Sequence, residues 1–337
     1  MITVENVSKS FWSRTGNVVA LDNVSLDVTA GAALGVVGPA DSGKSTLARC
    51  VSLQERPDTG VVRLDGLNTA TLDTRRLRAT RRQIGFVTGE TQLFKQRTAA
   101  GNIALPLEQS GVDGPSRRTR VGRLLDLIGM TDKAAVYPDD LTDGQRRRVA
   151  IARALVGEPA VLLADDPTAD LDTDGTAGVL AVLDRARAEL GVTLLVATQD
   201  NSVVRRICDD VALLDAGRLV EHGNLFELLR SPDSRALDAL LPAIDGNAGL
   251  PGCGQDRVAD VVLVGFAAVG ALLPEAASRF GVQVSVLGGG LTRLGETPVA
   301  RFRIGLKGER TDGTLAWMAD RGAIVHQPLA GPQGVAA

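Results

Sequence analysis

Histidine, cysteine and aromatic residues are all scarce in this chain of 337 residues, which has two His, three Cys and 3% Phe, Trp and Tyr together. The cysteines Cys50, Cys208 and Cys253 are odd in number, widely spaced and without a C-x-x-C pair, so neither a disulfide framework nor a zinc site is expected and a reducing cytosol fits. The histidines, His222 and His326, are expected at the surface, and no Ser–His or acid–His spacing in the last third suggests chemistry. With a net charge of −3 and no aromatics interleaved among its arginines, the chain is not expected to bind nucleic acid. The opening MITVENVSKSF lacks an apolar core behind a basic region, so no secretory leader is expected. The longest uncharged run, VVLVGFAAVGALLP, is shorter than the ~20 residues that a membrane span needs. Short-period repeats and low-complexity tracts are also missing.

What is present is a chain 44% hydrophobic and 23% charged, enough for one large and one smaller domain, each with its own core. Alternating apolar residues in ITVENVSKSF and VVALDNVSLDV, and the runs AALGVVG, VVRLDG, IGFV, VLLAD, TLLVAT and DVALLDAG, read as strands. Helical spacing lies between most of them. Several runs are continuously apolar, which predicts a mainly parallel sheet covered on both faces, hence an α/β fold. From about residue 230 the texture turns rich in Pro, Gly and Asp. This divides the chain into a first domain over residues 1–240, a linker over 241–257 and a second domain over 258–337, with the order βαββαβ of a ferredoxin-like sandwich.

GPADSGKST, Gly38 to Thr46, follows the strand LGVV and opens a helix, the G-x-x-x-x-G-K-[ST] pattern in its expected setting. Its glycines let backbone N–H groups turn around phosphate oxygens, and the helix N-terminus adds partial positive charge. Lys44 is placed to reach the β- and γ-phosphates, and the Ser45 hydroxyl to ligate Mg2+. Asp165, ending the strand VLLAD, is the expected second magnesium partner.

LTDGQRRRVAIARAL, residues 141 to 155, followed by VLLADDPTADLD, resembles the signature segment and Walker B region of an ABC-type ATPase. CVSLQERPDTG, RRQIGFV, GNIALPLE and RRICDDVALLDAGRLVEHG are similar to the ATP-binding subunits of methionine importers, and the likeness covers nearly the whole chain. The resemblance implies a P-loop ABC-type nucleotide-binding domain with a C-terminal ferredoxin-like NIL domain that senses methionine. It implies ATP with Mg2+ held by Gly38, Pro39, Ala40, Asp41, Ser42, Gly43, Lys44, Ser45, Thr46 and Asp165, with Phe11, or its neighbour Trp12, stacked on adenine. Thr142, Gly144 and Gln145 would meet the nucleotide of a second subunit, a homodimer by default, and Asp172 would lie in the loop crossing to it. Further implied partners are an integral-membrane permease and an extracytoplasmic substrate-binding protein, with the chain peripheral to the cytoplasmic face of the membrane.

Four positions depart from the family pattern, all of them among the parts that act on water and γ-phosphate. The signature, usually L-S-G-G-Q, carries Asp143, a carboxylate expected to repel γ-phosphate. Gly89 stands where a Gln normally follows IGFV, with Gln92 three residues later. Asp166 replaces the Glu that polarises water, which withdraws the carboxylate by ~1.5 Å. Gln199 replaces the His that holds γ-phosphate, and can donate a hydrogen bond without carrying charge. The resulting expectation is an ATPase of slow turnover; the alternatives are a hydrolysis-deficient regulatory protein and the degenerate half of an asymmetric dimer. Two arginine groups read as solvated faces: Arg75, Arg76, Arg78, Arg81 and Arg82, which could otherwise meet acidic permease loops or lipid headgroups, and Arg146 to Arg148, which could otherwise face the partner domain.

Overall fold

The computed structural model describes residues 1–13, 16–90, 92–231, 233–244 and 255–326. The chain divides into two compact units, Met1–Gly223 and Asn224–Ala337. Most of the expected linker, residues 245–254 with Cys253, lies outside the described residues, as do residues 327–329 of the expected last strand.

The first unit contains two sheets. Strands β1 (Ile2–Ser13), β2 (Gly16–Val28), β4 (Thr59–Leu64) and β5 (Leu67–Asn68) form an antiparallel sheet in the order β2-β1-β4-β5. The central sheet is built from β3 (Ala33–Val37), β6 (Ile84–Thr88), β7 (Val161–Asp165), β8 (Thr193–Ala197), β9 (Asp210–Asp215) and β10 (Arg218–Asn224), in the order β10-β9-β3-β8-β7-β6. Every residue of β3, β7 and β8 is buried, which is why these strands read as unbroken apolar runs rather than alternating ones. Helices supply the covering layers: α1 (Lys44–Val51), α2 (Thr74–Arg81), α3 (Ala99–Gln109), α4 (Gly114–Leu127), α5 (Asp143–Leu155), α6 (Thr173–Leu190) and α7 (Asn201–Ile207). Leu47 and Val51 of α1 join Val4, Leu26 and Val62 of the antiparallel sheet and Leu34, Leu163 and Leu195 of the parallel one in a single core.

Parallel register gathers the site. Thr88 pairs with Asp165 and Asp165 with Ala197, while Val36 also pairs with Ala197. The chain segments leaving β3, β6, β7 and β8 therefore emerge together at the carboxyl edge of the sheet, the usual place for a ligand in such folds.

The second unit has β11 (Arg257–Val264), β12 (Gln283–Leu294), β13 (Thr297–Lys307) and β14 (Ile324–His326) in the order β12-β13-β11-β14, each neighbouring pair antiparallel. Leu272 and Ala276 of the helix Leu272–Phe280, with Leu315 and Met318 of the helix Thr311–Asp320, cover Ala259, Val261, Ile304 and Leu306 of the sheet. This is the ferredoxin-like sandwich. Its register slips between Val286 and Gly288, where Gly289 has φ +101° and a Cβ would stand 2.0 Å from the Arg301 carbonyl oxygen. The run LGGG thus marks a close backbone approach that only glycine permits. The short helix Arg235–Leu240 belongs to this unit, with Asp238 paired to Arg301 at 2.7 Å.

Candidate nucleotide-binding site

The loop Gly38–Thr46 leaves β3 and becomes α1 at Lys44. Gly38 (φ +152°) and Gly43 (φ +101°) have no room for a side chain. A Cβ would lie 2.1 Å from the Leu214 carbonyl oxygen at the first and 2.3 Å from that of Ala20 at the second. The buried Lys44 folds back over the loop, and its Nζ donates to the carbonyls of Gly38 (2.9 Å) and Pro39 (2.6 Å), with Ser42 Oγ at 3.4 Å. Burial holds its pKa below the ordinary lysine value, opposed by the charges of Asp166, Asp165 and Asp41. An ammonium and a helix N-terminus thus share one narrow turn, a site suited to an anion.

Ser45 Oγ donates to Asp165 Oδ1 at 2.9 Å, across the gap between α1 and β7. Burial raises the Asp165 pKa above the carboxylate norm; the Ser45 hydrogen bond lowers it and Asp166 raises it further. Among the described residues no three His, Cys, Asp or Glu side chains converge as a metal site. A hard cation here would have one hydroxyl and one carboxylate from the protein and would need phosphate and water for the rest. That donor set fits Mg2+.

Asp166 follows immediately, with its backbone in the left-handed region at φ +45°. Its N–H donates to the Ala197 carbonyl (2.7 Å) and its Oδ1 accepts from the backbone N–H of Gln199 (3.3 Å). The structure therefore brings Asp166 and Gln199 together through the Gln199 backbone, while the Gln199 side chain is exposed. Gly89 lies against the same turn: a Cβ there would be 3.0 Å from the Asp166 carbonyl oxygen. Gln92 lines a cleft of about 480 Å³ with Phe86, Phe94 and Arg153, and its carbonyl accepts from Arg153.

At the start of α5, Thr142 and Gln145 form a capping box. Thr142 Oγ1 accepts from Gln145 N (3.3 Å), and Gln145 Oε1 accepts from Thr142 N (3.1 Å). Gly144 is needed for packing, since a Cβ would meet Gly175 Cα at 2.7 Å. Asp172 caps α6 by accepting from Gly175 N at 2.7 Å. Among the described residues no hydrogen bond joins the turn 142–145 to the loop 38–46. The Asp143 carboxylate is ion-paired with Arg146, whose Nη1 also bonds the carbonyls of Leu141 (2.6 Å) and Pro138 (3.1 Å). The charge expected to repel γ-phosphate is thus locally compensated.

Arg147 departs from the expected solvated face. It is 4% exposed, and its guanidinium donates to backbone carbonyls of the turns at Gly89 and Asp166–Ala169. The spacing 147, 151, 155 carried the signal, because Ile151 and Leu155 lie on the buried face of α5. Arg75, Arg76, Arg78, Arg81 and Arg82 do lie exposed on and just after α2, although Arg81 also bonds the Leu53 carbonyl. Phe11 is half-buried, 5.3 Å from Lys9 Nζ, and pairs with Val18 two residues before Ala20, whose carbonyl touches the phosphate loop; Trp12 is 87% exposed. Cys50 and Cys208 are both buried, and burial pushes the Cys50 thiol up to about 11.

Residues 21–169 match the ABC transporter family and residues 257–327 the NIL domain. The chain is 41% identical over 329 residues to the methionine import ATP-binding protein MetN of Thermobifida fusca, covering 97% of this chain and 99% of that protein. To MetN of Myxococcus xanthus it is 40% identical, over 98% of this chain and 100% of the relative. Among solved structures, the dimeric ATP-binding cassette MJ0796 bound to ADP and Pi superposes with a TM-score of 0.61 at 33% identity, covering 67% of this chain and 99% of that one. The phosphate loop, the Ser45–Asp165 pair and the capped signature turn, followed by a ferredoxin-like unit, make this chain a member of the ABC transporter ATP-binding family, in the branch that carries a NIL domain.

Proposed function

We propose that the chain is the ATP-binding and ATP-hydrolysing subunit of an importer for methionine or a related small amino acid, and that it turns over slowly. The observation that carries this reading is the join between the Lys44-centred phosphate loop and the Ser45–Asp165 pair, one suited to a triphosphate and the other to its cation. In this reading residues 38–46 cradle the phosphates and Phe11 stacks on adenine. Ser45 and Asp165 hold Mg2+, which when bound neutralises charge on the β- and γ-oxygens. Asp166 orients and deprotonates the attacking water, and Gln199 offers γ-phosphate a neutral donor. A second copy supplies Thr142, Gly144 and Gln145; the similar cassette MJ0796 is itself a dimer. The cleft beside Gln92 and Arg153 receives the membrane permease, an extracytoplasmic binding protein delivers substrate, and the ferredoxin-like NIL domain, residues 258–337, senses methionine. Among the described residues no helix is long and apolar enough to cross a membrane; in this reading the permease holds the chain at the membrane.

Calorimetry of the full chain with Mg·ATP, followed by phosphate release in a single turnover, tests this. Binding that Lys44→Ala abolishes, with slow release, is expected; no heat, or heat indifferent to Lys44→Ala, rejects it. A regulatory protein that binds without hydrolysing is the second reading, favoured by the engagement of the Asp166 carboxylate with the Gln199 N–H. Tight binding with no phosphate released would select it.

A further inference from the structure

Of the three consecutive arginines that open α5, the middle one is taken into the fold. Arg147 Nη1 donates to the carbonyls of Asp166 (3.1 Å) and Pro167 (2.7 Å), and Nη2 to those of Gly89 and, at 3.4 Å, Ala169. Removing a guanidinium from water is costly unless its donors are satisfied. Here the satisfaction comes from two turns that leave neighbouring strands, β6 and β7. A planar fork of fixed geometry holds both. Gly89 itself has no side chain to bridge the gap, and the two backbones already lie as close as a Cβ would allow. Displacing the Gly89 turn must therefore either drag the Asp166–Ala169 turn with it or break guanidinium bonds in a buried place.

We propose that Arg147 is a positioning residue that ties the Gly89 turn to the turn carrying Asp166, so that movement of either is transmitted to the other. The cleft lined by Phe86, Gln92, Phe94 and Arg153 adjoins the first turn, so an occupant of that cleft would act on Asp166 through this tie. The functional side of the proposal rests on the reading of Asp166 given above; the mechanical side does not.

The experiment is hydrogen exchange on the full chain, with and without Mg·ATP, in wild type, Arg147→Gln and Arg147→Lys. Without nucleotide, Arg147→Gln should speed exchange in peptides 86–90 and 166–171 together, by about fivefold or more, and leave 38–46 unchanged. Arg147→Lys, which keeps a donor and the charge, should restore part of the protection. With nucleotide, 38–46 should be protected in every variant, and 86–90 should gain protection in wild type but not in Arg147→Gln. Its turnover number should fall about tenfold or more, with KM within about threefold. Loosening of one turn alone, or of neither, overturns the tie. Missing protection at 38–46 in wild type would instead reject the nucleotide reading, and the nucleotide-free comparison would still decide the coupling. If Arg147→Gln does not fold, Arg147→Lys alone decides: a single ammonium cannot bond all four carbonyls, so 86–90 and 166–171 must lose part of their protection together, and protection equal to wild type in either overturns the tie.

Discussion

Lengthening the acid at position 166 by one methylene should accelerate ATP hydrolysis. The Asp166 backbone is fixed on both sides, by the 2.7 Å bond from its N–H to Ala197 and the 3.1 Å bond from Arg147 to its carbonyl. Asp166→Glu therefore extends the side chain without carrying the backbone along, and advances the carboxylate by ~1.5 Å. A ~1 Å error in placing a reacting group can cost ~100-fold in rate. The 3.3 Å bond from Gln199 N–H to the present carboxylate would have to be given up, which offsets part of the gain. The expected outcome is a rise in kcat of ~10- to ~100-fold with KM for ATP changed less than ~3-fold. Steady-state phosphate release at saturating Mg·ATP measures the first, and the substrate dependence of the rate the second. Asp166→Asn, which cannot accept a proton, should abolish the residual rate. A Glu variant that is no faster, or that gains only in KM, would show that reach is not what limits this site.

Three further outcomes follow from the geometry. Burial holds the Asp165 pKa above its unfolded value, so its charge costs folding free energy above the ordinary carboxylate range, and the cost fades as pH falls through the raised value. Asp165→Asn should accordingly raise the thermal midpoint of the nucleotide-free protein at pH 7 while removing the dependence of ATP affinity on Mg2+; a lowered midpoint would contradict this. Gly43→Ala places a Cβ 2.3 Å from the Ala20 carbonyl oxygen at φ +101°, and urea unfolding should register a loss of at least ~2 kcal/mol together with loss of nucleotide binding. In the second unit, Arg303 and Asp260 form a bidentate pair at 2.7 and 2.8 Å with side chains 15% and 14% exposed. Arg303→Met alone should cost ~3 kcal/mol, and combining it with Asp260→Leu should recover most of the loss, as followed by Trp317 fluorescence in urea.

The elements were largely legible because their signals are local. VLLAD coincides with β7, and TLLVAT with β8 to within one residue, since a run of at least four apolar or small residues ending at a polar one suits a strand buried on both faces. The order of the last third was equally readable: LLPEAASRFG became the helix Leu272–Phe280 and VARFRIGLKG the core of β13. What escaped was the partnering of charges. A sequence shows Asp143 as a free carboxylate, while the fold supplies Arg146 one turn later. It shows three similar arginines at 146 to 148, and only their angular positions on α5 separate an ion-pair partner from a buried fork. Asp166 likewise reads as a short acid, whereas its tether to Gln199 N–H depends on strands β7 and β8 being neighbours, which no local pattern encodes.

The short helix Arg235–Leu240 has a practical bearing on how the second unit can be isolated. Its Ala236, Leu237 and Leu240 are buried, Asp238 grips Arg301, and Pro242 rests against Gly290 on β12. Any fragment started after the Pro- and Gly-rich stretch would lose the Asp238–Arg301 pair and the Pro242 contact beside the glycine bulge. Amino-acid titrations on such a truncated piece would report on a damaged sheet; a fragment opening at Asn224 keeps its lid on.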